Sequence, residues 1–296
     1  MSTFVLLTIT GLGLGAMYFL IASGLSLIYG LMGVLNFAHG AFLTVGAYAT
    51  WWFQGKLDGI GSAGVSFVLA SAIGLVVGGA VAALVEFALI RPLYQRHIEQ
   101  VLVTVGLALA ITALVQGIWG ADARVYALPA WTIDTTEVLG AAIPNDRFVE
   151  IATAVVVLIG LQLFLRRTRY GLIVRAGVEN RAMVTALGID VRRAFTLVFV
   201  IGGLAASLAG ILSGIYFGSI DPERGTSLLI FAFIVVVIGG LGSIGGSAIA
   251  AVVVGVLQQY ANFYASSGLG DLSVVLLLAV VLLLRPAGLS GRTATA

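Results

Sequence analysis

The sequence predicts an all-α polytopic membrane protein, a bundle of eight to nine transmembrane helices forming one domain over 1–296. Three observations carry this. The 296 residues are 60% hydrophobic and only 9% charged, with a mean hydropathy of +1.12, whereas a soluble domain carries roughly a quarter charged residues. The apolar runs are about 20 residues long, the length that crosses a bilayer core, and not the 5–8 of buried strands. The basic residues are also unevenly placed along the chain.

In order, apolar runs cover about 4–30, 37–53, 64–90, 101–120, 149–165, 194–218, 227–241, 248–265 and 272–284. The N-terminus, MSTFVLLTIT, lacks a basic n-region and a small-residue cleavage site, so it reads as mature protein. Segments 91–100, 166–193 and 285–296 hold Arg91, Arg96, Arg166, Arg167, Arg169, Arg175, Arg181, Arg192, Arg193, Arg285 and Arg292. The opposite side holds only Lys56, Arg124, Arg147 and Arg224. The Arg-rich side is therefore expected in the cytoplasm, with an external loop at about 121–148. Nine crossings place the C-terminus inside.

Residues 4–54 as one helix would extend ~77 Å, enough for two crossings and not three. A break is therefore expected near 33–40, within GVLNFAHG. Asn36 is expected to cap the helix that follows, with Asn36, His39 and Gly40 on one face of its first turn. An uncapped start in lipid would cost several kcal/mol for each bare N–H. The same start favours a passing carboxylate. Asn36, Phe37, His39 and Gly40 thus mark either a capped break with a buried histidine or a substrate path.

Glycines punctuate the later runs. Ala206, Gly210, Gly214 and Gly218 recur every fourth residue, a stripe on which helices approach closely. Gly239, Gly240, Gly242, Gly245 and Gly246 predict a second break, near 239–247, with a gating or packing role; non-helical backbone at this depth is tolerated only where it is buried in protein or wet.

The Arg-rich insert 166–193 contains a predicted short helix from Glu179 to Leu187, stopped by Gly188. Val178, Ala182, Ala186 and Ile189 give it an apolar stripe. Such a helix either lies on the membrane surface or docks on a cytoplasmic partner through Met183, Ala186 and Leu187, with Glu179 and Arg181 at the rim.

Several chemistries are excluded. There is no cysteine, hence no disulfide or thiolate metal site. No GxxxxGK[ST] loop, HExxH motif or paired carboxylates occur, so no catalytic, metal or nucleotide site is expected on this chain. Intramembrane acids are sparse; Glu86, five residues before Arg91, is expected to snorkel or pair locally. If the protein moves a solute, the energy comes from another subunit.

LNFAHG (35–40), Glu86 before RPL (91–93), GLGSIGG (240–246) and RPAGL (285–289) occur in the order of the LivH-type permeases. The chain resembles that family over nearly its whole length. The resemblance implies a permease subunit of an ABC importer for branched-chain amino acids or related amides and urea, in the bacterial cytoplasmic membrane. It implies a LivM-type second permease, two ATPase subunits that bind ATP, and an external substrate-binding protein; no nucleic acid is involved. VENRAMVTALGI (178–189) resembles the family's coupling segment. The sequence departs from the family at Ala41, where an acid is frequent, at Gly245, where Pro is usual, and at Gln258 and Gln259, in a region where an acid is common. A stand-alone channel is the alternative reading, and a membrane enzyme or scaffold the third.

Overall fold

A computed structural model describes residues 2–33, 36–94, 96–266 and 268–290, without the side chains of Leu31, Val178, Glu179, Arg181 and Ala182. Eleven α-helices and one hairpin occur among these residues: α1 (Ser2–Met32), α2 (His39–Lys56), α3 (Ala63–Val85), α4 (His97–Trp119), α5 (Ala130–Ile133), β1 (Thr135–Val138), β2 (Ala141–Pro144), α6 (Asn145–Arg167), α7 (Arg169–Ala186), α8 (Val191–Tyr216), α9 (Arg224–Gly239), α10 (Ile244–Tyr264) and α11 (Leu269–Leu284). The nine expected apolar runs correspond to α1, α2, α3, α4, α6, α8, α9, α10 and α11. Six of these are long and apolar enough to cross a membrane, α9 and α11 are shorter apolar helices, and the more polar α2 completes the set. The chain is a multi-pass membrane protein.

The core forms around α1, α2 and α8. Met17, Leu20, Ile21, Phe42, Phe195 and Phe199 are all but fully buried. By contrast α4 and α6 stand at the periphery; Leu102, Leu109, Val156 and Ile159 are exposed, and in a bilayer such a face needs only lipid. α1 and α10 run antiparallel: Gly30 lies against Gly242, and Gly11 against Val256.

Several boundaries differ from expectation. The predicted helix over Glu179–Leu187 is part of α7, which is interrupted at Asn180 (φ −155°, ψ 93°). The Asn180 Oδ1 accepts the Met183 N–H at 2.9 Å, so the final segment starts after Asn180, two residues later than predicted, and an unpredicted helix precedes it. Thr168 starts that earlier helix by accepting the Gly171 N–H at 2.9 Å. The loop at 121–148 carries the hairpin β1–β2, whose turn places Leu139 (φ 50°) and Gly140 (φ 78°) in left-handed conformations, as a two-residue hairpin turn requires.

Gly218 does not belong to the packing stripe. α8 ends at Tyr216, and Gly218 takes φ 70° in the turn beyond it; a fourfold spacing cannot distinguish a face glycine from the left-handed residue that stops the helix. The rest of the stripe does pack. Ala206 is fully buried, a Cβ on Gly210 would strike the Leu43 carbonyl, and one on Gly214 would strike the Tyr126 ring and Ile220.

Candidate functional site

The first break separates α1 from α2, and its described residues are Gly33 and Asn36, Phe37 and Ala38. Gly33 (φ 69°) ends α1, donating its N–H to Tyr29 O at 2.8 Å. Asn36 is 3% exposed. Its Oδ1 accepts the Ala38 N–H at 3.1 Å, and its carbonyl accepts the His39 N–H at 3.2 Å. The helix N-cap itself is Ala38, without a side-chain cap. The expected Asn36 cap is therefore displaced by two residues: Asn36 closes the turn that precedes α2.

His39 is fully buried. Its Nε2–H donates to Ile21 O in the middle of α1 at 3.1 Å, and its ring lies on Gly24, which a side chain would displace. Gly40 backs onto Gly225 of α9, with room for no Cβ. These two positions hold α2 between α1 and α9. Asn36 and Phe37 instead line a cavity of about 160 Å³, with Leu25, Thr226, Leu229, Ile230 and Phe233. The Asn36 Nδ2 is buried behind this apolar lining without a hydrogen-bond partner among the described residues. The side of α9 at this cavity is open: Ile230 is 58% and Phe37 38% exposed.

The second break separates α9 from α10. Gly240 (φ 98°) and Gly242 (φ 81°) take the turn, where a β-carbon would be strained. Gly239 and Gly246 let the two helix ends meet backbone to backbone. Ser243 caps α10 by accepting the Gly246 N–H at 3.0 Å. Gly245 stands apart: it is exposed in the first turn of α10, and a Cβ there meets nothing. The RPAGL segment folds back onto this break. Leu289 and Ser290 donate their N–H groups to Ile238 O (2.8 Å) and Gly239 O (3.1 Å), satisfying carbonyls that the end of α9 leaves bare. Sequence reading did not find this contact; the glycine and proline of RPAGL were its only signal.

The end of α7 is the third feature. Met183 (61%) and Leu187 (68%) are exposed apolar side chains, with Ala186 exposed beside them and Val184 buried beneath. Gly188 (φ 77°) ends the helix, and Ile189 N–H reaches back to Val184 O, the pattern of a glycine-terminated helix. The side chains of Glu179 and Arg181 lie outside the described residues.

Two buried polar groupings were not foreseen. The Tyr18 hydroxyl donates to Gln258 Oε1 at 2.9 Å, and Gln258 Nε2 donates to Asp271 Oδ1 at 2.7 Å. An acid from α11 thus stands beside the glutamine at a place where relatives were expected to carry one. Arg147 pairs with Asp146 at 3.1 Å and approaches Glu150 at 3.8 Å, with Tyr216 under its guanidinium. Glu86 does not snorkel: it is fully buried and accepts hydrogen bonds from Tyr94 and Thr196.

The chain is thus a helical bundle with two breaks, an apolar cavity at one of them and an exposed helix end on its Arg-rich side. Residues 7–284 match the family model described as "Branched-chain amino acid transport system / permease component", and the chain belongs to that family. It is 31% identical over 290 residues to the high-affinity branched-chain amino acid transport system permease protein LivH of Escherichia coli K12, covering 95% of this chain and 94% of the relative. It is 30% identical over 292 residues to BraD of Pseudomonas aeruginosa (96% and 94%). A probable LivH from Methanocaldococcus jannaschii is 28% identical over 289 residues (92% and 88%). The chain is a permease subunit, not an enzyme.

Proposed function

We propose that this chain carries branched-chain amino acids across the membrane as one half of an ABC importer. The substrate class is the one for which LivH and BraD are named, and the cavity at the first break suits it. An apolar space of about 150 Å³ holds a benzene-sized group, so about 160 Å³ takes a branched aliphatic side chain. The Asn36 Nδ2, buried and unpartnered behind the cavity lining, becomes a donor for the substrate carboxylate when the break opens, while His39 and Gly40 hold the helix that carries it. A LivM-type second permease covers the open side of α9 and completes the path. An external binding protein delivers the substrate. The Arg-rich side, with the C-terminus, faces the cytoplasm.

The observation that carries the energy source is the end of α7. Met183, Ala186 and Leu187 form an exposed apolar face just before a glycine stop, and helix-in-groove docking requires such a face. Two ATPase subunits bind there, one on each permease. Leu187→Asp tests it by placing a charge in the contact, a cost of several kcal/mol if it stays unpaired. The variant inserts, because no membrane helix is touched, and loses its ATPase on co-purification or loses coupled uptake. Normal binding and normal uptake would show that this helix only rests on the membrane.

A further inference from the structure

Glu86 is a fully buried carboxylate at the start of a π-helical turn (Glu86–Ile90) that ends α3. A carboxyl group this deep needs hydrogen-bond partners, and here they are hydroxyls from two other elements. The Tyr94 hydroxyl donates to Oε1. The Thr196 hydroxyl donates to Oε2 at 2.8 Å across a separation of 110 residues. Beside them Tyr94 meets Phe195 edge to face, with ring centroids 4.9 Å apart. No ion pair to Glu86 occurs among the described residues.

The place of this bond is informative. Thr196 is in the second turn of α8, immediately beyond the elbow from α7. Asp190 starts that helix by accepting the Arg192 N–H at 3.0 Å. Deeper in the bundle α8 touches α3 again, where Gly203 lies on Ala82 and Gly78 on Ser207. The Ser207 hydroxyl also donates to Phe42 O of α2 at 3.1 Å, one turn from the first break. α8 therefore runs continuously from the elbow to the break, and α3 is fastened to it at two levels. π-turns cluster at functional places, and this one aims the carboxylate across the helix gap.

Resting on the permease reading above, we propose that Glu86 is a positioning residue for energy coupling: through Thr196 it clamps the α7–α8 elbow to the inner end of α3. The clamped pair moves as one body when the ATPases move α7, and the motion reaches the break at Asn36. Without the clamp α8 pivots on Gly203 and Ser207, and the displacement of α7 is lost at its own end of the bundle.

The test uses the assembled importer in liposomes with Thr196→Val, which removes the hydroxyl at constant shape, and Thr196→Ser, which restores it. Two readouts are taken: substrate moved per ATP hydrolysed, and the distance between spin labels at Arg91→Cys and Arg192→Cys, unique sites in a chain without cysteine. In the parent the label distance stays constant between nucleotide-free and ATP-trapped states. In Thr196→Val it changes on trapping, and the transport-to-hydrolysis ratio falls at least threefold in a complex that still assembles with unchanged ATPase content, read below its melting transition because the buried carboxyl has lost a donor. Thr196→Ser restores both. A label distance that changes in the parent, or an unchanged ratio in Thr196→Val, would overturn the clamp. Equal loss in the valine and serine variants would also overturn it, as a packing effect. If the parent takes up no substrate, the permease reading fails by itself, and the label distances still decide whether the elbow and α3 move together.

Discussion

The imidazole of His39 rests on Gly24, so that a Cβ on Gly24 would lie 2.8 Å from the ring and 2.7 Å from the Gly202 carbonyl. Three helices meet at that point. The start of α2 is tied to α1 because the His39 side chain bonds Ile21 O, and α8 reaches both because neither Gly24 nor Gly202 carries a side chain.

Gly24→Ala should therefore destabilise the fold. The Cβ would press on backbone, which cannot swing aside, and overpacking of this kind costs ~1–3 kcal/mol. Thermal unfolding in detergent measures it; an unchanged melting temperature would show that the contact relaxes freely.

Asn36→Ala removes the acceptor for the Ala38 N–H and the free amide at the cavity. Loss of such a buried turn hydrogen bond costs ~1 kcal/mol. Uptake should fall by more than the stability loss explains. Full uptake in a folded variant would leave Asn36 a turn residue only.

Gly288→Ala should release the RPAGL segment. Gly288 has φ 75°, and a Cβ would lie 2.7 Å from Gly240 Cα. Strain at a left-handed position costs ~1–2 kcal/mol, and the bonds from Leu289 and Ser290 to the end of α9 would be lost with it. Limited proteolysis reads this as new cleavage near 285–290.

Gly245→Ala should be neutral or stabilising by up to ~1 kcal/mol, the ordinary gain from replacing an open helical glycine. Nothing lies within 4 Å of the added carbon. A marked loss of uptake with intact stability would mean that flexibility at Gly245 matters.

The contrast between Gly245 and Gly239 shows what sequence could reveal. Run length and glycine density located both breaks, because lipid leaves backbone few alternatives to an unbroken helix. They could not rank the glycines: Gly214 and Gly218 share one spacing, yet one packs on Tyr126 and the other turns the chain. The start of the final α7 segment was legible in principle, since Asn180 is a capping residue, but the apolar spacing of Val178, Ala182 and Ala186 runs through it without a break. The polar partnerships lay beyond reach. Glu86 with Thr196, and Tyr18 with Gln258 and Asp271, join residues 110, 240 and 13 positions apart, and one chain read alone has no periodicity that links them. The same holds for the candidate site: Asn36 and Phe37 were expected on a path, but the wall opposite them, Ile230 and Phe233, is chosen by how α9 packs.

The central claim is that this chain conducts a branched-chain amino acid only when ATPase partners drive it. The most direct measurement is uptake of labelled leucine into proteoliposomes holding either the chain alone or the complete importer with its binding protein, with and without ATP. The account predicts uptake by the complete importer with ATP and none in the other three conditions. Leucine uptake by the isolated chain without ATP would contradict it and identify a channel.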